Sequence, residues 1–374
     1  MAGIYIHIPY CKQKCSYCDY HFSTHFNSKE QMVQAIVQEL ILRKNECNEA
    51  IETIYFGGGT PSVLTLDELN LIFSTIFDHY SIAENPEITL EANPDDLSEL
   101  KIKALKSTPI NRFSIGVQSF FEEDLRQMNR AHRAEEALTA VKMVQNAGFE
   151  NITIDLIYGS QTTTDEMWRE NLQIALDLQV PHISSYVLTV EDKTLLQHQI
   201  VSGKIPDIDE FKQARHFEIL VKTLLDNGFE QYEISNFSKP NCRSRHNSNY
   251  WNGHLYLGIG PSAHSYDGKN RSWNVSNNSI YIKKILSGEL PSEFEQLSAE
   301  DRFNELLMIK LRTVEGLDLQ QIQQEFPINF YEDLMQELMI HLDNQTVAIH
   351  ENHLVLTTKG KFLADGIAGD LFRI

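Results

Sequence analysis

GIYIHIPYCKQKCSYC, residues 3–18, places three cysteines directly behind a short apolar segment. Ile4–Ile8 reads as a strand, and Cys11, Cys15 and Cys18 follow in the pattern C-x3-C-x2-C. Thiolates are soft ligands that suit iron–sulfur clusters and zinc. One short loop with this spacing wraps three corners of a cubane and leaves the fourth iron open. That vacancy is what the amino and carboxylate groups of S-adenosylmethionine (SAM) need to chelate the cluster. An electron from the cluster can then break the carbon–sulfur bond of SAM. The competing reading is a zinc site of three cysteines with His7 or His21 as fourth ligand, but the second cysteine pair usual in zinc knuckles is missing.

Five more strand candidates lie downstream: Thr53–Phe56, Glu87–Glu91, Arg112–Val117, Ile152–Tyr158 and His182–Leu188. Amphipathic stretches separate them, among them Lys29–Lys44, Leu66–His79, Ala134–Ala147 and Asp165–Leu178. Strands alternating with helices of this length imply parallel strands joined by crossovers. Six such units predict an α/β fold, a partial (β/α)6 TIM-like barrel, over residues 1–235. Polar residues cluster at the strand ends, where barrel sites lie. Residues 236–289 form a connecting region that reads as ordered loop over its first half, rich in Asn, Ser, Gly and aromatics. Residues 290–374 predict a small α+β domain, three helices and then a hairpin turning at Glu351-Asn352, which is winged-helix-like.

The chain carries 32 basic and 52 acidic side chains, a formal charge of −20. From Glu300 onward there are thirteen acidic and six basic residues. That balance argues against nucleic acid as a partner, even for a winged-helix shape. No apolar run approaches the roughly 20 residues that span a bilayer. The N-terminus lacks the basic and apolar segments of a leader, and three crowded cysteines do not make a disulfide framework. Both features lead us to expect a cytoplasmic protein.

The opening Tyr5-Ile-His-Ile-Pro-Tyr-Cys-x3-Cys-x-Tyr-Cys resembles that of the oxygen-independent coproporphyrinogen III oxidase family of radical SAM proteins. The resemblance continues through Gly57-Gly-Gly-Thr-Pro-Ser, Glu91-Ala-Asn-Pro, Gly116-Val-Gln-Ser-Phe, Asn129-Arg-x-His and Asp155-Leu-Ile-Tyr-Gly. It implies a radical SAM barrel with a 4Fe-4S cluster on Cys11, Cys15 and Cys18. It also implies a SAM pocket built from Tyr5, Gly58, Gly59, Thr60, Glu91, Gln118, Arg130 and Asp155. Glycines let backbone approach a ligand, Glu91 and Gln118 can bond the ribose, and Arg130 has a fork suited to a carboxylate. Asp155, in an otherwise apolar strand, is costly to bury unless paired. An electron donor such as a flavodoxin or ferredoxin would be a partner of such chemistry.

Two features set the chain apart from the decarboxylating oxidases. Tyr20 stands where they carry a fourth cysteine, two positions after the third, and the cluster strand begins almost at residue 1. His246-Asn-Ser-Asn-Tyr-Trp251 instead is similar to the HNxxYW signature of the heme chaperone branch. That resemblance implies binding of heme and its transfer to an apo-hemoprotein acceptor; His246 is a candidate iron ligand, and Cys242 and His264, nearby in sequence, are further candidates. The alternative role for His246 and Asn247 is to pin a loop by hydrogen bonds while Tyr250 and Trp251 fill the core. The enzyme alternative is a radical SAM decarboxylase acting on coproporphyrinogen III.

Overall fold

The computed structural model describes residues 2–373. Strands β1 (Ala2–Ile8), β2 (Ile51–Gly58), β3 (Ile82–Ala92), β4 (Arg112–Gln118), β5 (Asn151–Tyr158) and β6 (His182–Val187) lie side by side in chain order, all parallel. Helices α1 (Lys29–Leu42), α2 (Leu66–His79), α3 (Glu99–Leu105), α4 (Glu122–Gln127), α5 (Ala134–Asn146) and α6 (Asp165–Asp177) connect them. After β6 come α7 (Leu195–Val201) and α8 (Glu210–Asp226). The curved sheet stays open, as the predicted partial barrel requires.

Local chemistry explains the element ends. At the start of α2 Thr65 and Glu68 form a capping box, which satisfies backbone donors at the helix start. Leu69, Ile72, Phe73 and Ile76 recur at helical spacing and are buried against the sheet. Each such side chain contributes roughly 1.5–3 kcal/mol on burial. Trp168 of α6 is fully buried, and its indole N–H donates to the His216 carbonyl at 2.9 Å. The strands are buried on both faces near their middles, so they read as apolar runs broken only by inward-facing polar residues.

The connecting region departs from expectation. Residues 236–268 are not loop. They hold β8 (Asn236–Ser238), which pairs antiparallel to β6 and to β7 (Glu230–Gln231), then helix α9 (Arg245–Trp251) and strand β9 (Leu255–Ile259). β9 runs parallel to β1 on the side opposite β2, a seventh parallel strand. β10 (His264–Tyr266), β11 (Asn270–Asn274) and β12 (Ser292–Gln296) continue that edge antiparallel, with α10 (Asn278–Leu286) between the last two. The result is one twelve-stranded sheet.

Glu39 and Arg43 of α1 hold this added edge in place. Glu39 is fully buried and accepts from Asn274 Nδ2 at 2.7 Å, the Gly260 N–H at 2.8 Å, Arg43 Nη1 at 3.2 Å and the Tyr281 hydroxyl. Arg43 also donates to the Gly258 carbonyl at 2.8 Å and to Ser265 Oγ at 3.2 Å. A carboxylate can be buried this way because every oxygen is bonded.

The C-terminal region runs α11 (Ala299–Leu311), β13 (Leu317–Asp318), α12 (Leu319–Glu325), α13 (Ile328–Asp343), β14 (Val347–His350), β15 (His353–Leu356), α14 (Thr358–Lys361) and α15 (Ala364–Asp370). Its three-stranded sheet has the order β13-β15-β14, a winged-helix-like arrangement. Glu351 and Asn352 both take positive φ, as a two-residue hairpin turn requires. Its apolar cluster, centred on Phe303, Leu307, Leu334, Leu338 and Leu354, is separate from the barrel core. Among the described residues no helix is long and apolar enough to cross a membrane.

Candidate functional site

The cysteine loop leaves the C-terminal end of β1 and is tied to the motifs around it. The Cys11 N–H donates to the Ser23 carbonyl at 3.0 Å. Asn129 Nδ2 donates to the Lys14 carbonyl at 2.7 Å, and Gln13 returns a bond to the Asn129 carbonyl at 2.9 Å. Thr60 Oγ1 lies 3.4 Å from Cys11 Sγ, and Arg130 Nη1 lies 3.2 Å from Cys15 Sγ. Asn93 joins the two anchors, donating to Thr60 Oγ1 at 3.3 Å and accepting from Arg130 Nη2 at 2.7 Å. One polar chain thus runs from Cys11 through Thr60, Asn93 and Arg130 to Cys15.

The glycines serve the same junction. The Gly59 N–H donates to the Ile8 carbonyl at 2.9 Å and the Thr60 N–H to the Tyr10 carbonyl at 2.8 Å, so the β2 ladder extends beyond its strand onto the cysteine loop. A Cβ on Gly59 would stand 2.7 Å from both carbonyls, which only glycine avoids. A Cβ on Gly58, with φ of +102°, would meet the His7 ring at 2.6 Å.

Burial pushes the Cys11 thiol up to about 12 and Cys18 up to about 11, with neighbouring thiols adding to the rise. Without metal these two sulfurs are protonated at neutral pH, so loading a cluster releases protons. Among the described residues no three His, Cys, Asp or Glu side chains converge to hold a single metal ion. A cubane differs in spreading its ligands over separate irons. Three soft donors on one anchored loop fit that group.

Deeper in the barrel, inward-facing residues of successive strands form a second layer. Tyr55 of β2 donates to Glu91 Oε1 of β3 at 2.7 Å, and Ser114 of β4 donates to Asp155 Oδ1 of β5 at 3.2 Å. The Tyr5 ring stacks 6.2 Å from Tyr55. Burial raises Glu91 to about 8, against the lowering bond from Tyr55 and with help from the nearby Asp155 charge. Burial raises Asp155 to about 6, partly offset by Ser114. Cβ atoms on Gly57 and Gly116 would strike Tyr5, Tyr55 and Glu91 in one case and Gln118 and Arg130 in the other, so these glycines keep the barrel wall open. Gln118 takes φ of +67° beside a register shift between β4 and β5, an unusual conformation for a side chain that ends a strand. Arg130 Nε is buried without a partner, while its fork is committed to Cys15, Asn93 and the Gly116 carbonyl. Two carboxyl groups, a glutamine and an arginine gathered on neighbouring strands and the loop after α4 suit a zwitterionic nucleotide sulfonium such as SAM.

An acid held at about 8 by burial is mostly neutral at pH 7, and a cationic ligand favours its ionised form. SAM affinity is therefore expected to rise with pH up to about 8, by up to about tenfold per unit, and to flatten above it. Calorimetric titration of the anaerobically loaded protein from pH 6 to 9 checks this. Glu91→Gln removes that slope; a slope that survives the substitution excludes Glu91 as its source.

His246 lies lower in the same barrel. Its Nδ1 is 2.8 Å from Thr53 Oγ1, its Nε2 is 3.0 Å from the Tyr250 hydroxyl, and its ring stacks 4.9 Å from Tyr55. Glu87 accepts from the Arg245 and His246 N–H groups at 3.0 and 2.9 Å and so caps α9. Burial, reinforced by the buried Arg112 charge, lowers His246 to about 3. Both ring nitrogens are thus engaged inside the protein. His264 stacks on Trp273 at 5.8 Å, and Cys242 lies half-buried in the turn before α9.

The residues that sequence reasoning did not single out are Tyr55, Asn93, Ser114 and Arg112. Asn93 lies inside the Glu91-Ala-Asn-Pro motif. The others are polar residues in otherwise apolar strands, the same signal that marks Asp155. Arg112 is fully buried, bonds Thr89 and Thr153, and sets the charge of the lower layer.

Family likeness agrees with this geometry. The Radical SAM superfamily matches residues 5–175, and the HemN C-terminal domain matches residues 297–363. The heme chaperone HemW of Lactococcus lactis is 34% identical over 97% of this chain and 97% of the relative. That of Bacillus subtilis is 32% identical over 99% of this chain and 98% of its own. The coproporphyrinogen III oxidase HemN of Escherichia coli, described as a radical SAM enzyme, superimposes with a TM-score of 0.85 at 22% identity, covering 99% of this chain and 90% of that one. By its near-full-length identity to these relatives, the chain belongs to the HemW family of radical SAM proteins.

Proposed function

We propose that this protein is a heme chaperone, which binds heme and passes it to an acceptor hemoprotein, with a 4Fe-4S cluster on Cys11, Cys15 and Cys18 and exchangeable SAM above it. The observation that carries the reading is the near-full-length likeness to heme chaperones, 34% identical over 97% of the chain. Tyr20 two residues after the last cysteine and the His246–Trp251 motif support it. When bound, the cluster supplies an electron and an open iron for the SAM amino and carboxylate groups.

The chain's own residues do the rest. Thr60 and Arg130 donate to the Cys11 and Cys15 sulfurs and orient the loop, and Arg130 would offset the negative charge of the thiolates that hold the cluster. Gln118 and Glu91 offer acceptors to the ribose and amine, and Gly57 and Gly116 leave them room. Tyr20, 70% exposed, extends from the cluster loop. A reducing compartment such as the cytoplasm suits three free thiols. A flavodoxin or ferredoxin would serve as electron donor.

The test pairs two assays on the anaerobically loaded protein. Heme titration is expected to give a saturable Soret shift. Incubation with coproporphyrinogen III, SAM and a reductant is expected to yield no protoporphyrinogen. Protoporphyrinogen formation at an enzymatic rate would replace the chaperone reading with the oxidase one. His246→Ala tests ligation by that residue, which would have to give up its bond to Thr53 or Tyr250.

A further inference from the structure

A groove of about 740 Å³ lies between α9–β9 and the α11–α12 face of the C-terminal region. Its walls include Tyr250, Trp251, Tyr256 and Phe326. The first two end the HNxxYW segment, and Tyr250 packs edge-on to Tyr256 at 4.6 Å. The Tyr250 hydroxyl reaches back to His246 Nε2, so His246 sets the groove wall from behind without entering it.

Three polar features stand in this aromatic groove. His254 lines it, with Nδ1 3.0 Å from Asn249 Oδ1. That acceptor fixes the proton on Nδ1 and leaves the Nε2 lone pair free, the tautomer an iron ligand needs. Trp251 Nε1 is buried with no acceptor. Arg302 and Lys310 also line the groove, and neither has a carboxylate within ion-pair distance among the described residues, whereas Arg271 beside them is paired with Glu305. Two unpaired cations are notable on a chain of charge −20.

Flat aromatic walls, a free imidazole nitrogen and unpaired cations match one ligand chemistry, a flat apolar macrocycle with a central iron and carboxylate arms. We infer that this groove is the heme site, with His254 as iron ligand, Arg302 and Lys310 receiving the propionates, and His246 as a positioning residue for Tyr250. The inference rests on the heme-chaperone reading and gives it a place. The C-terminal region then supplies a wall of the site.

The cluster-loaded protein is titrated anaerobically with hemin and, separately, with metal-free protoporphyrin IX. Wild type binds both. His254→Ala is expected to lose at least about tenfold in hemin affinity and to shift the Soret band, yet to keep protoporphyrin binding. Arg302→Glu with Lys310→Glu is expected to weaken both ligands at least about tenfold. These two lie on the helix surface, and circular dichroism confirms that each variant is folded. Hemin binding unchanged in His254→Ala, or unchanged in the charge-reversed variant, overturns the groove assignment while the chaperone reading stands. No hemin binding by wild type removes both.

Discussion

Glu39→Ala is expected to lower stability by about 3–5 kcal/mol, because it removes one of the two carboxylates on the buried Arg43, leaving only Glu46, and takes the acceptor from the Gly260 N–H and the Tyr281 hydroxyl and one of two acceptors from Asn274. The lost partners are Asn274, the Gly260 N–H and Tyr281. They belong to the β9–β11 edge and α10, so the loss is regional as well as global. Urea unfolding measures the first effect. Amide exchange of Leu255–Ile259 measures the second, and is expected to speed up there before it does in β3 or β4. Glu39→Gln, which keeps an acceptor oxygen, is expected to lose less. An alanine variant within about 1 kcal/mol of wild type would show that the network is not holding β9 onto β1.

Arg130→Ala is expected to weaken SAM binding by about 10–100-fold, the worth of a charge-assisted hydrogen bond at roughly 1.5–3 kcal/mol, because the buried and unpartnered Nε is the donor left for the SAM carboxylate. The guanidinium bridges the Cys15 sulfur, the Asn93 side chain and the Gly116 carbonyl. Its loss is therefore also expected to shorten the lifetime of the cluster in air. Arg130→Lys keeps the charge but not the fork, and its SAM affinity is expected to fall between the two. Isothermal titration and the decay of cluster absorbance separate the two effects. Wild-type SAM affinity in the alanine variant would confine Arg130 to holding the loop.

Much of this architecture is legible in the chain alone, for reasons that differ by element. β1, β2, β4 and β5 centre on short apolar runs, whereas only the second half of β3 does so and its start at Ile82 is not legible; α2 carries its own cap and stripe, so Leu66–His79 is read to the residue. The cysteine spacing is a local signal and needs no fold to interpret it. Helix α9 is not legible, because HNSNYW has no apolar period. Its cap includes Glu87, far away in sequence. β12 is five exposed residues, SEFEQ, held by pairing with β11 and by no burial of its own. β9 joins β1 across more than 200 residues, a contact that no local pattern encodes. The pairing of Glu39 with Asn274 and Tyr281 is hidden for the same reason: the sequence shows one charge in a helix and not the donors that surround it. At the site, Glu91 and Gln118 stand near the ends of β3 and β4, Asp155 within β5 and Arg130 in the loop after α4, each inside a motif visible in the sequence, while Asn93 and Tyr55 acquire their meaning only through the bonds they make.

The most direct measurement is made on anaerobically reconstituted wild-type protein, counting iron and sulfide and then adding SAM while the reduced cluster is watched by electron paramagnetic resonance. The account predicts about four irons and four sulfides per chain and a changed spectrum when SAM reaches the open iron. Zinc in place of iron, or a cluster whose spectrum ignores SAM, would contradict it.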